Sequence, residues 1–185
     1  MQLDKAIQNR HSVRKFKMQA PDWRDIIEAI DSARYAPIAG NNFTLRFIVV
    51  SEKHLISELA RCCQQEFINE AKYVVVACSK PGRLISSFGH AGKIYARQQA
   101  GAGIQNFLLS LTQKNLSTCW IGFFVERDIK QLLHIPDDVD VEAVFPIGYE
   151  FHKPMTRKHK IDLDGILLFN DYKNKKMKKP RKINV

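Results

Sequence analysis

Apolar residues first recur at helical spacing at Leu3, Ala6 and Ile7, so the chain opens with a short helix over residues 3–9 that ends near Arg10. Pro21 and Asp22 then start a stronger helix. Trp23, Ile26, Ile27, Ile30 and Ala33 mark one face of it, Asp22, Asp25 and Glu28 lie toward its positive end, and Pro37 stops it. Residues 47–50 and 73–78 are continuous apolar runs and read as buried strands. Ser51 is placed to cap a helix through about Gln64. From Pro81 to Gly92 three glycines and two serines predict a mobile loop, and a long helix follows from about Ala91 to Lys114 with Ile104, Phe107, Leu108 and Leu111 as its apolar stripe. Gly101 and Gly103 inside that helix cost up to ~1 kcal/mol each relative to Ala. Small residues there imply that another backbone or a flat ligand packs closely. Residues 117–121 read as a short strand, 126–133 as a helix stopped at Pro136, and 141–147 as a central strand. The order of elements predicts an α+β fold, a mixed layer whose mostly antiparallel sheet is covered by helices.

Length and composition narrow the class further. The 185 residues, 45% hydrophobic and 26% charged, suit one globular domain over residues 1–170 followed by a basic tail at 171–185. No apolar run approaches bilayer length and the N-terminus lacks an apolar signal core, so a cytoplasmic protein without membrane association is expected. Cys62, Cys63, Cys78 and Cys119 have no metal-ligand spacing and read as reduced, mostly buried thiols. The net charge of +10 is uneven: seven cations between Lys173 and Lys182, with no acid after Asp171, leave only about +3 for the rest. The tail has no aromatic residue after Tyr172 on which a base could stack, so nucleic acid is not the expected partner. It reads as a solvated arm or one that drapes over a partner.

The chemistry has few candidate carriers. Arg10-His11-Ser12-Val13-Arg14 near one end and Arg157-Lys158-His159 near the other combine guanidinium forks with a neutral donor, a set suited to a phosphate dianion. The same residues are also what plain solvated surface charge looks like. The stretch 36–42 is a helix stop followed by a small-residue loop, where Asn41 offers a donor and an acceptor to a heterocycle edge; it also makes an ordinary helix-to-strand turn. Gly122, after Thr118-Cys119-Trp120-Ile121, lets backbone approach a flat ligand, or simply ends a strand with Trp120 in the core. The remaining histidines lack metal spacing, no dinucleotide or phosphate-loop glycine motif occurs, and no serine has a partnering base. No metal site and no catalytic side chain is assigned.

Taken in order, Arg10 to Arg14, Ala36-Pro37 through Asn41, Phe47 to Val50, Gln105 to Leu109, Thr118 to Gly122, Leu132 to Pro136 and Pro146 to Tyr149 resemble the nitroreductase family of FMN-dependent oxidoreductases over roughly residues 3–165. The resemblance implies an intertwined homodimer with two FMN sites at its interface. Carried over by position, Arg10, Ser12 and Arg14 would hold phosphate and ribityl oxygens, His11 contributing through backbone or ring. Arg157 would complete the clamp, with His159 as a second base. Pro37, Ile38, Ala39 and Asn41 from the partner would line the flavin, and Ile121 and the Gly122 N–H would face flavin N5. The reaction implied is ping-pong transfer from NAD(P)H through FMN to an electron-poor small molecule such as a nitroaromatic or quinone. Ile38 and Phe43 replace polar residues common in the family, removing two polar contacts near the ring. Two other readings stay open: a flavin-binding protein with non-reductase chemistry, and a module that binds nucleic acid or acidic partners through its basic tail.

Overall fold

Four strands, β1 (Leu45–Val50), β2 (Tyr73–Ser79), β3 (Ser117–Thr118) and β4 (Asp140–Gly148), form one sheet in the order β1-β2-β4-β3, and every pairing is antiparallel. The computed structural model describes residues 2–152 and 161–177 of the chain. The helices are α1 (Leu3–Asn9), α2 (Trp23–Ser32), α3 (Lys53–Cys63), α4 (Gly82–Phe88), α5 (His90–Gln113) and α6 (Glu126–Leu133).

The continuous apolar runs are explained by helices on both faces of the sheet. In β2, Val74, Val76 and Cys78 pack with Ile56 and Leu59 of α3 and Ile129 of α6, whereas Val75 and Ala77 pack with Ile26 of α2 and Ile104, Phe107 and Leu108 of α5. Alternate residues of a strand face opposite sides, so a strand covered twice has no polar side left. β4 follows the same rule with one irregularity. Ala77 pairs with Ala143 and Cys78 with Val141, leaving Glu142 as a bulge whose carboxylate accepts from the Ser79 hydroxyl. The extra residue lets Val141 and Val144, three positions apart, pack on the same side. Phe107 and Phe145 are fully buried and meet edge to face at 5.6 Å. Burying each such ring contributes roughly 1.5–3 kcal/mol.

The helices differ from expectation in three places. Asp22 does cap α2, accepting from the Arg24 N–H at 2.9 Å, but the buried stripe is Ile26, Ala29 and Ala33, and Trp23 and Ile27 are about half exposed. Ser51 does not cap α3; extended Glu52 precedes it with no side-chain bond, and the helix ends in left-handed Gln64. The loop expected between Pro81 and Gly92 is α4. Its glycines make a corner between two helices rather than a disordered link: Gly89 turns the chain at φ 58°, ψ −137°, and Gly92 lies so close to α4 that a Cβ would sit 2.2 Å from the Leu84 carbonyl oxygen. Of the two glycines expected to allow close approach within α5, only Gly103 does so, where a Cβ would lie 2.5 Å from Leu45 Cδ1 and 3.3 Å from the Ala33 carbonyl oxygen. Around Gly101 the space is open.

Two compact units divide the chain, Met1–Lys153 and Pro154–Val185. Within the second, the described residues hold a single helical turn, Leu163–Gly165, and a tight turn closed by the Phe169 N–H on the Asn174 carbonyl at 2.8 Å. Among the described residues no helix is long and apolar enough to cross a membrane.

All four cysteines are free and buried. Burial pushes the Cys63 and Cys78 thiols up to about 12, so the thiolate, the reactive form, is scarce at ordinary pH. In the folded protein at pH 8 these two should resist alkylation and become labelled only in denaturant, which peptide mass mapping will read. Gly92→Ala should lower the urea midpoint by the equivalent of about 1–3 kcal/mol, because the added methyl meets backbone that cannot move aside.

Candidate functional site

The basic N-terminal segment is laid onto the sheet edge. Ser12 bridges Thr118 of β3 in parallel, with the Val13 N–H on the Thr118 carbonyl at 3.0 Å. Further along, Phe16 bridges Glu150 in antiparallel fashion, the Lys17 N–H donates to the Tyr149 carbonyl at 2.8 Å, and the Phe151 N–H donates to the Lys15 carbonyl at 3.0 Å. Glu70 Oε2 accepts from the Phe16 N–H at 3.0 Å. Val13 and Phe16 are buried, packed with Ala71, and they are what anchors the segment.

Around buried Val13, Ser12 and Arg14 are exposed and Arg10 is half-buried. The Arg14 guanidinium lies 6.0 Å from the centre of the Phe67 ring. The His11 ring is taken up internally: Nδ1 lies 2.7 Å from the Asn9 carbonyl and Nε2 2.8 Å from Glu150 Oε1, which leaves the His11 backbone for any ligand.

Beyond Thr118 the chain reaches the expected glycine. Ile121 exchanges two 3.0 Å backbone bonds with Val144 and is buried, so it holds Gly122 against the sheet. Gly122 is exposed, its N–H carries no hydrogen bond among the described residues, and a Cβ there would meet only the Trp120 indole at 3.8 Å. Trp120 packs edge to face on Phe145 at 5.5 Å yet remains 41% exposed, so it belongs to the core on one side and to the surface on the other. The Thr118 hydroxyl oxygen is buried without a hydrogen-bond partner among the described residues. The basic segment paired to β3, the Thr118 hydroxyl and the exposed Gly122 N–H make a polar stretch along the sheet edge, with one buried group in it that is unsatisfied among the described residues.

The loop 37–42 packs against α4 and α5. Gly40 and Asn41 are both left-handed, at φ 53° and 54°, and Phe88 of α4 sits 2.9 Å from where a Gly40 Cβ would be. Pro37 and Asn41 are exposed, and Ile38 and Ala39 half-buried. Arg157 and His159 lie outside the described residues.

Three contributors were not visible in the sequence reading: Gln99, whose amide bonds the 39–44 backbone, Glu150, which holds His11, and Phe88, which overlies Gly40. Gln99 left a signal, since a polar residue on the same side of α5 as Ala96, Ala100 and Gly103 must find a partner. A groove of about 500 Å³ beside α6, lined by Glu126, Lys130 and Asp137 among others, contains none of the candidate residues. Lys130 Nζ there already meets Glu126 Oε1 at 3.2 Å and the Asp137 carbonyl at 3.3 Å. No group of side chains among the described residues is arranged to hold a metal ion.

Comparison with known proteins joins these parts. The family model described as nitroreductase family matches residues 7–149. An iodotyrosine deiodinase from Thermotoga neapolitana is 23% identical over 156 residues, covering 76% of this chain and 84% of its own length. The crystal structure of a nitroreductase family protein from Clostridium novyi NT superposes with a TM-score of 0.76 at 28% identity, over 94% of this chain and 96% of that one. The NADPH:FMN oxidoreductase of Vibrio harveyi, solved with NAD+, shares the fold at a TM-score of 0.81 and 18% identity, over 93% of this chain and 78% of its own. Because one continuous match takes in the basic segment on β3, the 37–42 loop, α5 and Gly122, the chain belongs to the nitroreductase family.

Proposed function

We propose that this protein is an FMN-dependent oxidoreductase that accepts hydride from NAD(P)H and passes reducing equivalents, in ping-pong fashion, to an electron-poor small molecule such as a nitroaromatic or a quinone. The observation that carries the reading is the polar sheet edge around β3. Arg10, Ser12 and Arg14 belong to a segment paired to Thr118, and the chain beyond Thr118 leads to the exposed Gly122 N–H. One end suits a phosphate of about −1.5 to −2 charges and the other a flat ring. The unpartnered Thr118 hydroxyl and the open face of Gly122 fit a ligand with both features.

When bound, FMN supplies the redox chemistry. The chain supplies position and field. Arg10 and Ser12 would hold phosphate and ribityl oxygens; Arg157 and His159, which the family resemblance adds to the clamp, lie outside the described residues. Arg14 places a cation at the pyrimidine edge of the ring, where negative charge gathers on reduction. The Gly122 N–H donates toward N5, and Ile121 keeps it there through its two bonds to Val144. Pro37, Ile38, Ala39 and Asn41 line the ring from a second protomer, in an intertwined homodimer. Supporting that arrangement, exposed apolar side chains at Leu3, Ile7, Ile94 and Phe123 offer surface for a partner. The Vibrio harveyi oxidoreductase supports a nicotinamide reductant, and the deiodinase relative extends the acceptors to test toward halogenated aromatics.

The purified protein should be yellow, or become so with added FMN, and should oxidise NAD(P)H once a quinone or nitroaromatic is present; a colourless protein that takes up no FMN ends this reading. Arg10→Ala should raise the FMN Kd by about tenfold or more, since a hydrogen bond to a charged group contributes roughly 1.5–3 kcal/mol. Arg14→Ala should instead make the midpoint potential of the bound flavin more negative, measured by dye-coupled titration, because a cation beside the ring favours the reduced anion.

A further inference from the structure

α5 is the longest helix, and its inner face is apolar or small at Ala96, Ala100, Gly103, Ile104 and Phe107. Two amide side chains interrupt that face, Gln99 and Asn106, seven residues apart and therefore nearly in line along the helix axis. Gln99 is only 6% exposed. A buried amide with nothing to bond is costly, so its partners decide what it is for.

Those partners all come from the connection between α2 and β1. Gln99 Oε1 accepts from the Ala39 N–H at 3.3 Å, while Nε2 donates to the Asn42 carbonyl at 3.2 Å and to Thr44 Oγ1 at 2.5 Å. Asn106 Nδ2 donates to the Ser32 carbonyl at 3.3 Å, where the connection begins. Between the two amides Gly103 lets the Ala33 backbone come close. The bonds from Gln99 bracket the two left-handed residues, Gly40 and Asn41, on both sides. A left-handed non-glycine residue such as Asn41 is held only when its surroundings over-determine it.

We propose that Gln99 is a positioning residue that clamps the 39–44 turn, so that Ala39 and Asn41 are preset to line the flavin rather than ordered when it binds. This rests on the FMN reading above. A turn fixed in advance costs no ordering entropy on binding, so the clamp acts on cofactor affinity and on the flavin's surroundings. The residue touches no reacting atom and acts through the loop.

Three variants and two readouts test the clamp. In the FMN-free protein, Gln99→Leu should speed hydrogen exchange across residues 39–44 while α5 and the sheet keep wild-type protection. In the same variant the FMN Kd should rise by about tenfold or more, the effect of polar groups left unpaired in a loop that is no longer preset. Gln99→Glu places a carboxylate against the Asn42 carbonyl, so its FMN affinity should be poor at neutral pH. It should recover toward wild type as acid protonates the side chain and restores a donor, a response that general destabilisation would not produce. Thr44→Val removes one of the three bonds and should shift both readouts the same way by less, which keeps the test informative if Gln99→Leu does not fold. Wild-type exchange rates and wild-type FMN Kd in Gln99→Leu overturn the clamp. Faster exchange in Gln99→Leu together with a wild type that never takes up FMN would keep the clamp and remove the flavin reading.

Discussion

The antiparallel pair β2 and β4 sets the terms for the rest of the molecule. Both strands are interior and both of their faces are covered, so nearly every side chain along them must be apolar. The exceptions lie where the pairing slips: Glu142 bulges out of β4 and receives the Ser79 hydroxyl. Asp140, at the start of β4, is half-buried and reaches Lys93 Nζ at 3.7 Å; a polar group in the middle of the pair would be buried without water or partner. Binding chemistry is therefore displaced to the strand ends and to the loops the helices support, and there the candidate residues are found.

The N-terminal segment becomes part of the sheet by being buried at only two positions, Val13 and Phe16. The His11 ring is held by Glu150 and the Asn9 carbonyl, whereas Ser12 and Arg14 stay exposed, so the basic cluster is divided between a residue fastened to the fold and residues open to solvent.

α5 plays the corresponding part for the other half of the proposed site. It packs apolar residues on the sheet and amide side chains on the α2–β1 connection, and it admits that connection at Gly103. The α4–α5 corner at Gly89 and Gly92 brings Phe88 over Gly40. The glycines in residues 82–92 read as loop because glycine marks both flexible chain and close helix contact, and composition does not tell these apart. Trp23 and Ile27 were misplaced on the buried stripe for a similar reason: hydrophobic spacing defines a face to within a turn, and packing against α5 chose Ile26, Ala29 and Ala33 within it.

Period and punctuation along the chain determined the elements and their order apart from α4, the buried character of the strands, and the ordered motifs that mark the nitroreductase family. These are local properties, written in neighbouring residues. Tertiary structure alone decided that Ser12 lies beside Thr118, that the His11 ring is spent on Glu150, that the Thr118 hydroxyl is left unpaired among the described residues, and that Gln99 grips a turn sixty residues before it. Each of those depends on which distant backbone groups are brought within hydrogen-bond reach, and spacing along the sequence carries no record of that.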